Sequence, residues 1–225
     1  MDVRDNRGRK IGTVGPAHYP GTNCIVVILV IVAVIGGAVF GISELVAKIQ
    51  ANVSLPVHDS LRNVQIKDGY GGTVSSDSDG LHITDGSWDY PGPTSGYADI
   101  DVTVTAKLTT YAQASLGYGL AVRMQGYGEA GFFQITPDGQ WFSGGSTQTQ
   151  PSDAIHTGIG AINTLEVKNH GDHFTYLVNG TVVNEEDYSN LSDGGVRLIA
   201  GNAYNDSPGS IAVVFTDLSI VKDTQ

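Results

Sequence analysis

The sequence predicts an all-β fold, an antiparallel β-sandwich, preceded by a single transmembrane α-helix. Three observations lead to this prediction. Residues 24–42 form an uncharged apolar run, apolar and polar residues alternate in many short stretches after residue 66, and Asp-Gly or Asn-Gly pairs separate those stretches. No stretch after residue 66 shows a sustained helical period, so the crossover helices of a parallel sheet are not predicted.

The apolar run reads CIVVILVIVAVIGGAVFGI and has 19 residues without a charge. As a helix it would extend about 28 Å, close to the roughly 30 Å hydrocarbon thickness of a bilayer. Because a lone segment in lipid satisfies its backbone only as a helix, we assign residues 24–43 to a membrane span. The Gly37-x-x-x-Gly41 spacing is one that lets membrane helices approach closely.

Residues 1–23 form a basic tail, because residues 1–10 contain four Lys or Arg residues and two Asp residues. The positive-inside rule then places this tail in the cytoplasm and the C-terminal domain outside the cell. A cleaved signal peptide is the alternative, but its apolar region is typically shorter, at about 7–15 residues. We therefore expect an uncleaved anchor.

The remaining chain divides into a juxtamembrane stalk, residues 44–66, and a sandwich, residues 67–225. In DIDVTVTAKL, residues 99–108, every second residue is apolar, which predicts a strand with one buried face. The same alternation occurs in GLAVRMQ, NTLEVKN and GVRLIAG, and FFQITPDGQWFSG predicts a hairpin.

Turn residues support this division. Asn179-Gly180 predicts a tight hairpin, and Asp-Gly pairs predict turns at 68–69, 79–80, 85–86, 138–139 and 193–194. In the last strand, SIAVVFTDLSIV, the apolar parity changes near Thr216-Asp217. Either both faces of this strand are buried or it contains a β-bulge.

Charge and cysteine content exclude some function classes. The chain has a formal net charge of −11, and because residues 1–10 carry +2 (four Lys or Arg, two Asp), the remainder carries −13. An acidic domain repels phosphate backbones, so nucleic acid is not an expected partner. Cys24 is the only cysteine, which excludes an intramolecular disulfide and a cysteine-based zinc site.

The order of strands resembles the concanavalin A-like lectin/glucanase jelly rolls over about residues 68–221. The resemblance rests on the N-x-L-x-V…F-x-Y-x-V-N-G pattern of residues 163–180 and the F-x-D-L pattern of residues 215–218. It is closest to the laminin G-like and 3-keto-disaccharide-hydrolase-like modules of bacterial cell-surface proteins. It implies a jelly-roll surface module that meets carbohydrate or protein ligands, or in some relatives hydrolyses glycosides.

A retaining glycosidase needs two carboxylates about 5–5.5 Å apart. The nearest candidates are Asp99 and Asp101, which share a strand face but lack the third acid of the E-x-D-x-E run of related glucanases. We interpret both as polar positions of a solvated face rather than as catalytic residues. The sequence does not decide whether the domain is an enzyme, but it favours a domain without catalytic activity.

Calcium is the cofactor that fits best, since sandwich loops supply carboxylate and carbonyl oxygens. In related modules one Ca²⁺ ion binds residues near both ends of the chain and holds them together. Asp68 and Asp217 match those positions by their order along the chain, and are the predicted metal ligands.

Carbohydrate binding requires exposed aromatic rings, against which the apolar face of a sugar can lie, and polar residues beside them. The candidate ligand-binding residues are aromatic residues near predicted turns and the polar residues beside them: Trp88, Tyr90, Tyr127, Trp141, Asn202, Tyr204, Asn205 and Asp206. For both tryptophans, packing in the core is an equally good interpretation.

These observations favour a membrane-anchored, extracellular and non-catalytic ligand-recognition module, with glycans as the expected ligands. Two alternatives stay open. One is a glycoside hydrolase-like enzyme of the same fold, and the other is a structural or self-associating cell-surface subunit.

Overall fold

The computed structural model describes side chains in residues 55–67, 69–91, 99–124, 131–144, 148–189, 191, 194–201 and 210–223, and backbone alone in 2–4, 10–13, 125, 129 and 130. The chain forms two compact units, residues 1–49 and 50–225. The predicted transmembrane helix, residues 24–43, lies outside the described residues. Within those residues every regular element is a β-strand, so none is an apolar helix of membrane-spanning length.

The first unit contains a short antiparallel pair of strands, β1 (Asp2–Arg4) and β2 (Lys10–Thr13). The sequence of the basic tail does not predict these two strands.

The second unit is all β, as predicted. Its strands are β3 (Val57–Asp59), β4 (Gly69–Ser76), β5 (Leu81–Asp89), β6 (Ile100–Tyr111), β7 (Tyr118–Gln125), β8 (Glu129–Ile135), β9 (Gln140–Ser143), β10 (Gln150–Pro151), β11 (Ile162–His170), β12 (His173–Val178), β13 (Thr181–Asp187), β14 (Gly195–Ala200) and β15 (Ile211–Lys222).

These strands form one continuous antiparallel sheet in the order β10-β9-β8-β7-β14-β5-β15-β6-β11-β12-β13, with β4 added to β5 and β3 added to β15. The sheet curls so that its two halves face each other. The rings of Phe133 on β8 and Tyr176 on β12 are 5.2 Å apart, and Asn184 on β13 donates to Ser143 on β9 at 3.0 Å. The result is a sandwich with its core between the two halves.

The alternation of β6 builds this core. Its apolar residues, Ile100, Val102, Val104, Ala106 and Leu108, are fully buried, while the residues between them point outward. Burying each large aliphatic side chain stabilises the fold by about 1.5–3 kcal/mol.

The predicted Asn179-Gly180 hairpin is confirmed, because it connects β12 to β13 and both residues have positive φ, 51° and 77°. The Asn179 side chain also forms hydrogen bonds with residues outside its own turn. It accepts from the Thr164 amide at 2.8 Å and donates to the Ala154 carbonyl at 2.8 Å and to Asn163 Oδ1 at 2.9 Å. This asparagine therefore joins the hairpin to the start of β11 and to the preceding loop.

The predicted Asp-Gly turns have different outcomes. Gly80 and Gly139 lie in the turns between β4 and β5 and between β8 and β9, as predicted. The turn prediction at Asp85-Gly86 is wrong, because both residues lie inside β5. There β5 changes its partner from β15 to β14, and Asp85, with a φ of 51°, accepts a 2.9 Å bond from the Ile211 amide.

The parity change in the last strand is a β-bulge. The pairing of β15 with β6 shifts between Thr216 and Ser219, and Asp217 is exposed with a φ of 54°. Beyond the bulge β15 pairs with β3, which lies in the segment assigned to the stalk. Leu61, just after β3, is fully buried, so the sandwich begins before residue 67.

Candidate functional site

One outer surface of the curled sheet combines aromatic, charged and small residues, and we call it the aromatic face. It is formed by β9, β8, β7, β14, β5 and β4, on the side away from the core. Strand register places its residues in two rows: Phe142, Gln134, Gly119, Ile199, Ser87 and Tyr70 in the first, and Phe132, Ala121, Arg197 and Asp89 in the second.

The aromatic face has a floor of small residues between large flanking side chains. Gly119 and Ala121 lie on its central strand β7, while the rings of Phe132, Phe142 and Tyr70 on the flanking strands are half-buried. A Cβ on Gly119 would collide with the Phe133 carbonyl oxygen, so only glycine fits there. Local packing thus keeps the β7 part of this surface low, whereas neighbouring β14 carries the larger residues Ile199 and Arg197.

A charged pair lies across the second row. Arg197, only 4% exposed, donates from Nε and Nη2 to the two carboxylate oxygens of Asp89, the second bond measuring 2.9 Å. Its guanidinium carbon also lies 4.9 Å from the centroid of the Tyr70 ring. This bidentate geometry fixes the arginine and neutralises its charge locally.

Ser87 lies between Tyr70 and Ile199 in the first row and is fully buried. Its hydroxyl forms no hydrogen bond with any described residue. Buried polar groups are nearly always hydrogen-bonded, so this hydroxyl is an unsatisfied group beneath the surface and is not open to a ligand.

The other half of the sheet carries a carboxylate pair on its outer surface. Asp101 on β6 lies opposite Lys168 on β11, next to Glu166. Lys168 Nζ is 3.2 Å from Glu166 Oε1 and 3.9 Å from Asp101 Oδ2. Burial and, second, the charge of Glu166 raise the pKa of Asp101 to about 6, and Glu166 likewise raises the pKa of Lys168.

Asp99, the predicted neighbour of Asp101, has a different role. Its φ is 53°, and its carboxylate accepts a 2.7 Å bond from the Gly171 amide in the turn between β11 and β12. It therefore ties the start of β6 to that turn. The carboxylate that interacts with Asp101 is Glu166, which the cross-strand register of β6 and β11 could have revealed.

The other predicted site residues are dispersed. Trp88 and Trp141 are 1% and 7% exposed and pack in the core. Tyr90 is half-buried, and its hydroxyl lies 3.4 Å from Asp59. Asp217 is exposed at the β15 bulge. The remaining predicted residues, Asp68, Tyr127, Asn202, Tyr204, Asn205 and Asp206, lie outside the described part of the chain.

The described strands bordering two of these segments run in opposite directions. Met124, near the end of β7, pairs with Gly195 at the start of β14, whereas Ala200 at the end of β14 pairs with Tyr118. The residues that lead to Tyr127 and those that lead to Tyr204 therefore lie at opposite ends of this strand pair. Among the described residues, no group of three or more His, Cys, Asp or Glu side chains is arranged to hold a metal ion.

No protein-family model and no curated protein matches the chain. Solved structures do match the fold. The chain is similar to an apo Crh5 transglycosylase, with a TM-score of 0.54 and 12% identity over 77% of this chain and 86% of that one. It is also similar to Trypanosoma rangeli sialidase, with a TM-score of 0.53 and 14% identity over 73% and 30% of the two chains.

A third similar structure is the carbohydrate-binding module CBM66 from Bacillus subtilis, with a TM-score of 0.52 and 13% identity. The match covers 72% of this chain and 99% of that module. At such identities the similarity establishes the fold, a curled antiparallel sheet consistent with the expected jelly roll.

Proposed function

We propose that the protein is a membrane-anchored, extracellular module that binds carbohydrate through the aromatic face and does not cleave it. The observation that carries this proposal is the arrangement of Phe132, Phe142 and Tyr70 around a low floor that also holds the Arg197–Asp89 pair. The similarity to nearly the whole length of a carbohydrate-binding module supports it.

The chemistry of the aromatic face suits a sugar. The C–H faces of a pyranose are apolar and can lie against aromatic rings. Sugar hydroxyls need hydrogen-bonding groups in fixed positions, and the Asp89 carboxylate, whose side chain is 36% exposed, offers an acceptor there. Because Arg197 is already neutralised by Asp89, neutral glycans fit this surface better than acidic ones.

The membrane anchor and the extracellular position of the sandwich are proposed from the sequence alone. The apolar segment 24–43 and the basic tail before it support an anchor with the sandwich outside the cell. The contributions predicted for Tyr127, Asn202, Tyr204, Asn205 and Asp206 remain predictions within this proposal.

The test is a glycan array with the full chain in detergent, followed by titration calorimetry with the best ligand. Phe132→Ala and Tyr70→Ala should each weaken binding about tenfold or more, since burying a large apolar side chain contributes roughly 1.5–3 kcal/mol. Thr175→Ala is the matched control, because Thr175 lies on the outer surface of the other half of the sheet. An array without signal above background would reject glycan binding, and equal losses in all three variants would reject this site.

Glycoside hydrolysis is the second candidate, favoured by the pKa of about 6 at Asp101 beside the Glu166 carboxylate. A carboxylic acid held partly protonated near neutral pH is what a general acid requires. However, Lys168 contacts both carboxylates, as in a charge-balanced surface network. Release of reducing ends from an array-positive glycan, abolished in both Asp101→Asn and Glu166→Gln, would establish this alternative.

A further inference from the structure

The segment through which the chain enters the sandwich is mostly irregular, and we call its residues 57–66 the strap. The strap begins with β3, which pairs with β15 over three residues, and forms no regular element after β3. Of its ten residues only Val57 and Leu61 are buried, while Val64 and Ile66 are half-buried against the core. The strap is therefore held by few apolar contacts.

Leu61 is the main contact of the strap with the core. Its side chain is fully buried, and its amide donates a 2.8 Å bond to Asp59 Oδ1. Ser76, at the end of β4, binds the strap on both sides of Arg62. Its hydroxyl donates to the Leu61 carbonyl and accepts from the Val64 amide, both at 3.0 Å. The side chain of Leu61 and the hydroxyl of Ser76 thus hold the strap on the sandwich.

The backbone at Leu61 opposes this arrangement. Its φ of 58° lies in the left-handed region, which is unfavourable for leucine because Cβ comes too close to the following carbonyl oxygen. Asn63 has a φ of 54°, which asparagine tolerates better. Detachment of the strap relieves the strain at Leu61 and returns conformational freedom to ten residues. The strap is therefore expected to open at a lower free energy than the central strands.

The sheet keeps its connections when the strap leaves. β15 pairs with β3 over three residues only, whereas it pairs with β6 along most of its length and with β5 over four residues. Loss of β3 therefore leaves β15 between two long partners.

We propose that the strap is a releasable tether, which detaches from the sandwich while the sheet stays folded. Ten released residues extend by up to about 33–36 Å. Because the strap lies between residues 24–43 and the sandwich, its release lets the sandwich reach ligands farther from the membrane. This gain in reach rests on the membrane anchor proposed above, whereas the release itself rests on neither the anchor nor glycan binding.

Limited trypsin digestion of the full chain in detergent tests the release, with cleavage sites identified by mass spectrometry. Arg62 is an exposed trypsin site in the strap, and Lys168 is a matched site in the middle of β11. Cleavage after Arg62 should be at least about tenfold faster than cleavage after Lys168, since a protease cuts chain that has opened locally. It should also depend less on denaturant, because release exposes less surface than global unfolding does.

Two variants loosen the strap and one serves as the control. Leu61→Ala deletes the buried side chain but keeps the strained backbone, and should speed cleavage after Arg62 about tenfold or more. Ser76→Ala removes only the bridging hydroxyl and should speed it several-fold. Leu108→Ala deletes an equally buried leucine from β6, so it should speed cleavage after Lys168 and leave cleavage after Arg62 unchanged.

Two results would overturn the proposal. One is cleavage after Arg62 with the same rate and denaturant dependence as cleavage after Lys168, which would mean that the strap opens only when the sheet unfolds. The other is cleavage after Arg62 that neither Leu61→Ala nor Ser76→Ala accelerates, which would mean that trypsin cuts the strap while it is docked. If Leu61→Ala does not fold, Ser76→Ala alone decides the second point.

Discussion

Asp101 on β6 and Glu166 on β11 place two carboxylates on neighbouring strands of the same outer sheet surface, bridged by Lys168. Burial and then Glu166 raise the pKa of Asp101 from 3.8 to about 6. In the unfolded chain its pKa returns to the ordinary value, so the folded protein holds this proton more tightly. The stability linked to it is complete below about pH 4 and is lost as the pH rises through about 6.

The first prediction follows from this linkage. Asp101→Asn should remove the loss of stability between pH 4 and 7 that arises at this carboxylate. The whole change in pKa corresponds to about 3 kcal/mol. Because the side chain is 23% exposed and Lys168 offsets part of the repulsion, we expect about 1–2 kcal/mol. The measurement is the free energy of unfolding in denaturant at pH 4.5, 6 and 7.5.

Asp217→Asn provides the matched control for the pH series, since Asp217 is exposed. Its pH dependence should follow that of the unaltered protein. Parallel curves for Asp101→Asn and the unaltered protein would contradict a raised pKa at Asp101.

The second prediction concerns the hairpin at Asn179. Asn179→Ala loses three side-chain hydrogen bonds and forces a non-glycine residue without a local polar partner into a φ of 51°. We expect a loss of about 2–4 kcal/mol in the free energy of unfolding. Asn179→Gly keeps the turn conformation and should lose about 1 kcal/mol less than alanine does. Equal losses in both variants would show that backbone conformation contributes nothing here.

The core strands could be predicted from sequence because alternation records burial directly. Ile100 to Leu108 on β6 and Leu165 and Val167 on β11 are buried as their spacing predicts. Asp85-Gly86 shows why an Asp-Gly pair alone does not predict a turn. The same positive φ that suits a hairpin also serves a strand that changes partners, and only the neighbouring strands decide between these two uses.

The aromatic face could not be predicted in the same way. Its residues range from Tyr70 on β4 to Ile199 on β14 and meet only through pairings between strands distant in sequence. Residues such as Phe132 alternate with core residues and look like core positions. Conversely, Trp88 looks like a binding residue because tryptophan is large and lies near turn residues, yet it packs inside the sandwich.

The third prediction concerns Gly144. Gly144→Ala should lower the free energy of unfolding by about 2–4 kcal/mol, because the new methyl group meets the Glu186 carboxylate and the φ is 61°. Gly158→Ala is the control for the backbone alone, with a φ of 83° and no atom within 4 Å of the new Cβ, and should lose only about 1 kcal/mol. Combining Gly144→Ala with Glu186→Ala should restore part of the loss, whereas strictly additive losses would show that the two residues do not clash.

The fourth prediction concerns the charge of the bound glycan. In the unaltered protein the Asp89 carboxylate neutralises Arg197, so neutral oligosaccharides should bind better than those carrying a carboxylate. Asp89→Asn keeps the shape and one acceptor oxygen but removes the negative charge, which leaves the guanidinium charge uncompensated by Asp89. We expect the affinity ratio of acidic to neutral glycans to rise about three- to tenfold, with a stability loss of about 1–3 kcal/mol. Parallel titrations of one neutral oligosaccharide and its carboxylated analogue measure this ratio. Asp138→Asn, in the turn between β8 and β9, controls for net charge, and an equal rise in that variant would show that overall charge rather than Arg197 sets the preference.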